Sequence, residues 1–564
     1  MAFEAVGDVC REQARAREIL PLAAADEDRS DWNKSDTDAA PESDLSFYLK
    51  RLFLPLRREG GQLIAATADT SAENIAWLQA AYGPVRVVGV PKGALLAEIQ
   101  RRFESRLTED SVFALARETP SLSARQIITP RQCAALCLLL LAIGASLFVW
   151  TVDAAWMLVA AMSLVLWLTV LFRTALALIG AGRNQHAPPV SGGRDANLPL
   201  YTVVVPLYRE AHMIPALSRF LLDLDYPRDR LQIIVALEAD DTETVLAAKA
   251  LSGVAPFEVV RVPQSHPRTK PKAANFALQF ARGEFVVVYD AEDRPEPDQL
   301  RKAVAEFRRQ PRATACLQAR LVFTNRRHWI AIQAALDYSV WFGFLLHGLD
   351  RLGIPMPLGG TSNHFRASVL RAIHAWDPFN VTEDADIGIR LAALGYRVSM
   401  LDSTTHEEAP EQIGAWIKQR SRWLKGYMQT WLVHSRSTSA FMGRAGLRGF
   451  FGFHLFIGGT VLSALLNPIL WMVCLISVLF ESPPAQAFGY VSAGGIIASN
   501  SFLTVLAVAG SAWRGDGRFS VHGIWAPLYW LLISFAAYRG LWQLITRPFY
   551  WEKTAHGASR PGRA

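Results

Sequence analysis

Three acidic groups and one lysine stand where the sequence predicts the ends of buried strands. They are Glu210, the run Glu238-Ala239-Asp240-Asp241, the run Asp290-Ala291-Glu292-Asp293, and Lys270 between the two runs. Carboxylates supply the hard oxygen ligands that Mg²⁺ and Mn²⁺ prefer, and such a metal neutralises a leaving diphosphate. Each group alone is weak evidence, because aspartate often caps helices. Together and in this order, they indicate a site for a metal ion and a nucleotide diphosphate.

A further acidic sequence, Val381-Thr382-Glu383-Asp384, opens a predicted helix. These residues could serve only to begin that helix, since carboxylates near a helix N-terminus interact favourably with its dipole. Beside the other groups, a catalytic role is favoured. Asp384 is then a general base that takes the proton from an attacking hydroxyl. Direct displacement by that hydroxyl inverts the configuration at the carbon that it attacks.

The elements that must position these residues are alternating strands and helices. Buried strands are predicted at Tyr201–Pro206, Leu231–Leu237, Phe257–Val262 and Phe285–Tyr289. Helical patterns lie at 211–223, 242–251, 271–281 and 297–308. This alternation predicts βαβ units and a parallel sheet, on which ligands collect at the carboxyl ends of the strands.

Four long apolar segments flank this block and predict membrane-spanning helices. They lie at 133–152, 155–181, 453–480 and 488–510, and each can cross a hydrocarbon core of about 30 Å. The short connections within each pair carry no basic residue, whereas Arg183, Arg194, Arg514 and Arg518 lie on the other side. The positive-inside rule therefore predicts that the block 183–450 faces the cytosol of a bacterial inner membrane.

Residues 522–546 form another apolar segment. If it also spanned, the basic tail 547–564 would face outward, so an interfacial or re-entrant helix is preferred. The first 44 residues contain no recognisable cleavable signal peptide. The net charge of +7 reflects the positive-inside bias and indicates no nucleic-acid partner. Five cysteines without CxxC spacing argue against a zinc site or a disulfide framework.

The N-terminal part is expected to be disordered over residues 1–44 and to form a small α/β domain over 45–125. A hairpin, a helix at 71–82, a strand at Val85–Val90 and a helix at 92–104 follow one another. This domain resembles the N-terminal domain of type II secretion ATPases, some relatives of which bind cyclic di-GMP. A docking or regulatory module is favoured over nucleotide sensing, because the glycine-and-arginine repeats expected for that binding are not evident.

Residues 199–435 resemble the GT-A domain of family 2 glycosyltransferases, the group that contains cellulose, chitin and hyaluronan synthases. The resemblance implies a UDP-sugar donor, a growing glycan acceptor, and Mg²⁺ or Mn²⁺. It assigns nucleotide-sugar contacts to Pro206, Tyr208 and Glu210 around the base, to Asp240 or Asp241 at uracil or ribose, and to Lys270 at the diphosphate. Asp290 and Glu292 occupy the DxD metal positions. Glutamate at the second position departs from the pattern, and Asp293 is an alternative ligand.

Two further motifs carry the resemblance towards the acceptor. Leu358-Gly359-Gly360-Thr361-Ser362-Asn363 is similar to an acceptor-binding segment, in which Gly360 and Thr361 let a sugar ring approach the backbone. The TED motif of Thr382, Glu383 and Asp384 is then the catalytic one. Attack of the acceptor hydroxyl on the anomeric carbon gives a β-linkage from an α-linked nucleotide-sugar.

The sequence Gln419-Arg420-Ser421-Arg422-Trp423 is a QxxRW motif on a predicted amphipathic helix at the membrane surface. The resemblance places Trp423 under the acceptor sugar, with Gln419 and Arg422 at the leaving diphosphate. QxxRW is typical of processive, membrane-embedded synthases, and it favours polymerisation and translocation of an extracellular polysaccharide. The alternatives are a non-processive transferase that adds one sugar to a lipid carrier or envelope acceptor, and a catalytically silent membrane scaffold or receptor.

The aromatic, glycine-containing segment Pro548–Gly557 resembles the gating loop of cellulose synthases, and a plain tail is the equal alternative. The expected organisation therefore surrounds a cytosolic GT-A domain with membrane helices. Its parts are a disordered segment (1–44), an α/β domain (45–125), two spanning helices (131–182), the GT-A domain (195–412), interface helices (413–450), two spanning helices (451–512), a membrane or interface helix (520–546) and a cytosolic tail (547–564).

Overall fold

The computed structural model describes residues 40–182, 197–251, 254–479, 483–513 and 517–552. The chain divides into two compact units. The first comprises residues 1–114, 199–266 and 272–291, and the second comprises 115–198, 267–271 and 292–564. Most of the predicted disordered segment, residues 1–39, and half of the predicted gating loop, residues 553–557, lie outside the described residues.

The first unit begins with a small α/β layer. Its elements are α1 (Leu45–Arg51), β1 (Phe53–Glu59), β2 (Gln62–Thr67), α2 (Ala72–Tyr82), β3 (Val85–Gly89), α3 (Lys92–Arg102) and the start of α4 (Glu104–Glu118). β1 and β2 form an antiparallel hairpin, and β3 pairs with β2 in parallel. Buried Tyr48 and Phe53, in edge-to-face contact at 5.2 Å, form part of its core. The chain then passes through two long helices of the second unit, α5 (Pro130–Val149) and α6 (Thr151–Ala181).

The chain returns to the first unit as a parallel sheet with connecting helices. The elements are β4 (Tyr201–Leu207), α7 (Ile214–Leu222), β5 (Leu231–Glu238), α8 (Thr242–Ala248), β6 (Phe257–Val262), α9 (Lys270–Phe280) and β7 (Phe285–Val288). The strand order is β6-β5-β4-β7, and all neighbours are parallel. Every residue of β5 is buried, as expected for a strand covered on both faces. The predicted strands and helices of this region are confirmed.

Within the first unit, the N-terminal layer packs against this sheet and its helices. Lys92 of α3 forms an ion pair with Glu258 of β6 at 2.5 Å. The Nε2 of Gln279 on α9 donates to the Leu107 carbonyl at 2.8 Å, and Nδ2 of Asn275 donates to the Ser111 carbonyl at 2.9 Å. The N-terminal layer therefore adjoins the outer strand β6 and helix α9.

The second unit contains a mixed sheet. Its elements up to the end of the sheet are β8 (Arg294–Pro295), α10 (Gln299–Arg309), β9 (Thr314–Phe323), α11 (Trp329–Val340), α12 (Leu346–Leu352), β10 (Asn363–Arg366), α13 (Ala367–Ala372), α14 (Glu383–Ala393) and β11 (Arg397–Glu407). The order is β10-β9-β11-β8, in which β9 and β11 are parallel and the outer pairs are antiparallel. Helix α14 begins with the acidic residues of the TED motif.

The remaining helices complete the second unit. They are α15 (Ile413–His434), α16 (Thr438–Phe453), α17 (Gly459–Leu479), α18 (Pro483–Trp513), α19 (Gly517–Ser520) and α20 (Ala526–Thr546). In the described part of the chain, six segments are long and apolar enough to cross a membrane: Pro130–Val149, Thr151–Ala181, Trp329–Leu352, Thr438–Leu479, Gln486–Gly510 and Val521–Thr546. Four of them overlap the predicted spans at 133–152, 155–181, 453–480 and 488–510. The last is also long enough to span, and its interfacial placement stays a prediction.

The segment Trp329–Leu352 was not anticipated from the sequence. It has a mean hydropathy of 1.4, and 72% of its apolar window is buried inside the protein. Buried residues of α6 and α12, including Leu176, Leu346 and Leu349, belong to one apolar core. This helix therefore belongs to the interior of the second unit, where it forms one wall of the cavity described below.

Candidate active site

In the first unit, the predicted nucleotide contacts lie at and beyond the carboxyl ends of β4 and β5. Pro206 pairs with Ala236 inside the sheet, and Tyr208 and Glu210 follow the strand. The buried Asp241 side chain caps α8 by accepting from the Thr244 N–H at 3.3 Å, and it also accepts from the Arg209 N–H. Asp240 is exposed. Asp241 thus fixes the loop after β4, and a nucleotide contact by the exposed Asp240 stays a prediction.

A buried ion pair supports the end of β5. Nζ of Lys272 lies 2.8 Å from Oε2 of Glu238, with the lysine side chain fully buried, and it also donates to the Pro263 carbonyl at 3.0 Å. Sequence reasoning identified the lysine-containing segment but assigned a role only to Lys270. The pair joins the start of α9 to the strand end beside Asp240, so it positions the loop and has no direct access to a ligand.

The DxD positions differ in exposure. Asp290 follows the fully buried strand β7, and both Asp290 and Glu292 are partly exposed. Asp293 is 2% exposed and accepts a hydrogen bond from the Thr361 hydroxyl. Asp293 and Thr361 therefore support each other, and a metal-binding role for the partly exposed Asp290 and Glu292 stays a prediction. An acceptor role for Thr361 stays a prediction, since its side chain is buried in this contact.

In the second unit, one face of α15 holds the TED loop. The Oε1 of Gln429 accepts from the Val381 N–H at 3.0 Å, and the Thr430 hydroxyl accepts from Nδ2 of Asn380 at 3.0 Å. A Cβ atom at Gly426 would lie 2.1 Å from the Thr382 hydroxyl, so only glycine permits this approach. The loop before Asp384 is therefore set by the helix that carries QxxRW.

Lys270, Gly360 and Asp384 lie together. Nζ of Lys270 donates to the Gly360 carbonyl at 2.8 Å. A Cβ atom built on Gly360 would be 3.2 Å from Oδ2 of Asp384, so the glycine backbone lies against the carboxylate. The structure thus brings together a predicted diphosphate ligand, a predicted acceptor residue and the predicted base.

The two TED carboxyl groups have different environments. Glu383 is 5% exposed, and its Oε2 has no hydrogen-bond partner among the residues described. Burial, with repulsion from Asp384, raises the pKa of Glu383 well above its usual range. Burial also raises the pKa of Asp384, while the Ala385 N–H and the cations Lys270 and Arg422 oppose that rise. Neighbouring carboxyl groups in such environments can take different roles. The raised pKa of Glu383 favours its protonated form, and the role of Asp384 as the base stays a prediction.

The adjoining face of α15 lines an internal chamber. Arg420 pairs with Asp337 of α11 at 2.9 Å and lies 4.4 Å from the centre of the Trp423 ring. Trp423 in turn stacks on Tyr338 at 5.9 Å. The chamber has a volume of about 130 Å³, and its lining includes Gly360, Thr382, Asp384 and Trp423.

The chamber extends from Asp384 towards the long apolar helices. Its further lining includes Trp341, Tyr427, Tyr529 and Trp530, together with Arg173 of α6 and Thr460 of α17. The rings form much of its wall, and a few polar groups lie between them. A pocket of aromatic surface with sparse polar groups suits a ligand with both apolar and hydrogen-bonding faces.

The segment 547–552, called the strap here, packs on the first face of α15. Nζ of the fully buried Lys425 donates to the Tyr550 carbonyl at 2.8 Å, and Gln429 donates to the Pro548 carbonyl at 3.3 Å. Arg422 lies 4.5 Å from the centre of the Trp551 ring. Burial lowers the pKa of Lys425 to about 8. The strap thus contacts the same side chain, Gln429, that holds the TED loop.

A buried polar network behind α14 was missed from the sequence. Asp386 accepts from Arg390 at 3.1 Å and contacts His434 at 2.9 Å, and all three side chains are almost fully buried. Arg390 also donates to the carbonyls of Ile373 and Ala375. The network joins α14 to the C-terminal end of α15. An acidic residue two positions after Asp384, with an arginine four further on, is the only local signal for it.

Comparison with known proteins identifies the domain that contains this site. Residues 285–482 match the family described as glycosyl transferase family group 2. This segment includes Asp290, Asp384 and the QxxRW motif. Residues 285–482 are therefore similar to a family 2 glycosyltransferase domain, and the expected GT-A-like α/β fold with flanking helices and a small N-terminal α/β region is confirmed.

Similar proteins act on different acceptors according to their names. The chain is 28% identical over 296 residues to the beta-monoglucosyldiacylglycerol synthase of Synechocystis, covering 51% of this chain and 59% of the relative. It is 25% identical over 243 residues to the probable glucomannan 4-beta-mannosyltransferase 1 of Arabidopsis thaliana, covering 41% of this chain and 43% of the relative. The chain thus spans about half the length of these curated relatives.

A solved structure is also similar. It is the mannosyltransferase PcManGT from Pyrobaculum calidifontis in complex with GDP-Man and Mn²⁺, with 19% sequence identity and a TM-score of 0.46. The alignment covers 66% of this chain and 99% of the mannosyltransferase.

Proposed function

We propose that this protein is a processive, inverting glycosyltransferase that polymerises sugar from a UDP-sugar into a β-linked polysaccharide and passes the product across the bacterial inner membrane. The observation that carries the proposal is the lining of the chamber. It includes Asp384 and Trp423 and also Arg173 and Thr460, which lie in two helices long and apolar enough to span. A site that transfers a sugar and releases it to the cytosol needs no such extension.

The lining of the chamber supports a glycan occupant. Sugar rings present C–H faces that pack on aromatic rings and hydroxyl edges that need hydrogen bonds. Trp341, Trp423 and Trp530 offer the first kind of contact, and Asp337 and Arg420 offer the second. A chain of sugars can therefore occupy the chamber with both of its surfaces matched.

The transfer step follows from the TED environment. The acceptor hydroxyl attacks the anomeric carbon, the bond from that carbon to the diphosphate breaks, and the hydroxyl proton passes to Asp384. Lys270 and Arg422, whose charges act on Asp384, are the cations we assign to the developing charge of the leaving diphosphate. Protonated Glu383 carries no charge that would repel that diphosphate. Inversion follows because only one displacement occurs.

A divalent metal fits the DxD residues. Asp290 and Glu292 offer accessible carboxylate oxygens, the donor type that Mg²⁺ and Mn²⁺ prefer. Within the described ranges, no group of three or more His, Cys, Asp or Glu side chains forms a ready metal site. We therefore assign the remaining ligands to donor phosphate oxygens and water. The metal would neutralise the diphosphate as it leaves.

The strongest alternative is transfer of one sugar to a lipid. The name of the Synechocystis relative favours it, and aliphatic residues such as Leu336, Val340 and Leu345 also line the chamber. A diacylglycerol-like acceptor would place its chains along these residues. The two functions differ in product, which makes them separable by one assay.

The test uses the purified full-length chain in nanodiscs with a panel of radiolabelled UDP-sugars and Mg²⁺ or Mn²⁺, without added lipid carrier. We expect a long polymer that size-exclusion chromatography resolves from free sugar. A product that stays with the lipid phase and contains one sugar would overturn processivity and establish the alternative. Repeating the reaction with GDP-mannose tests the choice of uridine donor.

The same assay separates an enzyme from a silent scaffold or receptor. We expect Asp384→Asn to abolish polymer formation, whereas Asp298→Asn, which changes a carboxylate paired with Lys302 on α10, leaves it unchanged. Equal activity in wild type and Asp384→Asn would contradict the proposal and favour the scaffold.

We further propose that the N-terminal layer is a cytosolic docking or regulatory module. Its ion pair and amide contacts with β6 and α9 give it a firm attachment to the sheet that carries Asp240. Titration of the full-length chain with cyclic di-GMP tests nucleotide regulation. Binding of cyclic di-GMP together with a change in the rate of polymer formation would establish this regulation. If no heat of binding is measured, a regulatory protein is the partner we expect.

A further inference from the structure

A second, smaller cavity continues the chamber among the long apolar helices. Its volume is about 30 Å³, and it shares Arg173, Thr460 and Trp530 with the chamber. Its other lining residues include the polar side chains Thr169 of α6, Ser463 and Asn467 of α17, Ser499 and Asn500 of α18, and Ser534 of α20. Polar side chains at this depth are costly and concentrate where a substrate passes.

Several of these groups lack hydrogen-bond partners within the described ranges. They are Nε of Arg173, Oγ of Ser463, Oδ1 of Asn467 and Oγ of Ser534, all with atoms buried from solvent. Arg173 is 6% exposed and Ser534 is 2% exposed. A buried polar group without a partner costs free energy, so these four atoms favour an occupant of the cavity, water or a ligand, that hydrogen-bonds to them.

Arg173 adds a charge requirement. Its Nη2 donates to the Thr460 hydroxyl at 2.7 Å, and its guanidinium lies 5.8 Å from the centre of the Trp530 ring. The neighbouring carboxylate, Asp337, already pairs with Arg420 at 2.9 Å and accepts from the Tyr529 hydroxyl at 3.3 Å. Asp384 also lines the chamber. Two arginines therefore line the chamber, and the carboxylate of Asp337 is in direct contact with Arg420.

We infer that the junction of the two cavities receives a carboxylate carried by the glycan, and hence that the polymer contains an acidic sugar of the hexuronic acid class. The inference rests on the proposed polymerase function. Guanidinium binds carboxylate with paired N–H donors, and burial strengthens that contact. The serine and asparagine groups beyond Arg173 then hydrogen-bond the hydroxyls of the same sugar or its neighbour. A neutral glycan would leave the buried charge uncompensated.

The experiment compares a hexuronic acid tetrasaccharide with the same tetrasaccharide after chemical reduction of its carboxyl groups. Binding to the full-length chain in phosphatidylcholine nanodiscs is followed by tryptophan fluorescence, to which Trp530 beside Arg173 contributes. The measurement uses Asp384→Asn protein, so it does not depend on catalysis. We expect the acidic form to bind more tightly by about tenfold or more, the effect of a hydrogen-bonded charge pair.

Variants at residue 173 test the origin of that preference. Arg173→Gln should bring the two affinities within about twofold, since glutamine can hydrogen-bond Thr460 but carries no charge. Arg173→Lys should keep most of the preference. Thr174→Val, which alters the next residue of α6 and removes only a bond to its own helix at 2.7 Å, should bind as the parent does. Equal affinities in the parent, or a preference that survives in Arg173→Gln, overturns the inference.

A third ligand pair distinguishes a lipid source of the oxyanion. If a short polyprenyl phosphate, compared with its alcohol, shows the Arg173-dependent preference and the tetrasaccharides do not, the junction binds a lipid phosphate and the inference is wrong. Failure of polymer formation in wild type counts against the proposed function instead, because the binding result stands without it. The two failures are therefore distinguishable.

Discussion

The sharpest prediction concerns the two neighbouring carboxyl groups of the TED motif, which we propose hold opposite protonation states. Glu383 is 5% exposed, and its pKa is raised by burial and by Asp384. Burial also raises the pKa of Asp384, but the Ala385 N–H at 2.7 Å and the charge of Lys270 oppose that rise. Glutamine copies a protonated glutamic acid, whereas asparagine cannot accept a proton as a base. Asp384→Asn and Glu383→Gln should therefore behave differently.

The expected sizes follow from the role of each group. General-base catalysis contributes about 10²- to 10⁴-fold, so Asp384→Asn should lower kcat by about a thousandfold, or about 4 kcal/mol in activation free energy. Glu383→Gln should stay within about tenfold of wild type, because it removes no charge at neutral pH. In the wild type, kcat/KM should rise with pH as Asp384 loses its proton, with a midpoint above 3.8, the usual pKa of aspartate. Lys270→Met should move that midpoint further upward, since a cation that stabilises the carboxylate is lost.

The assay is initial-rate incorporation of radiolabelled sugar across a pH series, with size-exclusion chromatography confirming that each variant is folded. The acid limb of kcat/KM should be the same in wild type and Glu383→Gln. A Glu383→Gln variant that is folded and loses as much activity as Asp384→Asn would refute the assignment of the base. A midpoint that falls in Lys270→Met would refute the electrostatic account of Asp384.

Three further outcomes are expected. Gly360→Ala should lower kcat about tenfold or more with little loss of thermal stability, because its Cβ would lie 3.2 Å from the Asp384 carboxylate. Gly359→Ala should instead lower the melting temperature, because its Cβ would lie 2.8 Å from a Phe342 ring carbon. Chelation by EDTA should abolish transfer, and Mn²⁺ should restore it. Asp290→Ala should raise the Mn²⁺ concentration needed for half-maximal rate. If this variant needs the same Mn²⁺ concentration as wild type, the DxD assignment is wrong. Glu552 accepts hydrogen bonds from Arg539 at 2.7 and 2.8 Å. Glu552→Gln should weaken these contacts and make the strap more sensitive to limited proteolysis. If the variant and wild type are cleaved at the same rate, the strap is held without this ion pair.

Sequence reasoning succeeded where the signal is local. The strands at 201–207 and 231–238 are continuous apolar runs, and such runs predict strands buried on both faces. Asp240 follows the strand at 231–238, and Asp290 follows the parallel strand at 285–288. Both residues must then lie at the same edge of the sheet. The spans at 130–149 and 151–181 were equally clear from length and composition.

Contacts between distant residues could not be predicted in this way. Thr361 follows a glycine pair and suggested an open acceptor surface, but its partner Asp293 lies 68 positions away and buries it. Trp329–Leu352 has a moderate mean hydropathy of 1.4, so it did not stand out beside stronger spans, although it forms part of the chamber wall. In each case the deciding contact joins residues that are distant in the sequence, and a single sequence does not show which distant residues meet.

Helix α15 explains why the residues of QxxRW are neighbours in sequence and yet have different roles. Positions 422, 426, 429 and 430 recur at helical spacing on one face, and this face holds the TED loop through Val381, Thr382 and Asn380. Positions 420, 423, 424 and 427 recur on the adjoining face, which lines the chamber. Successive residues of a helix differ by about 100° in direction, so Arg422 and Trp423 necessarily face different partners. A single helix thereby positions both the TED loop and the Trp423 ring, which we propose carry the catalytic base and the acceptor sugar. A one-residue insertion before Arg422 would keep the composition of the helix but turn the motif away from both partners, which is why its spacing matters as much as its residue types.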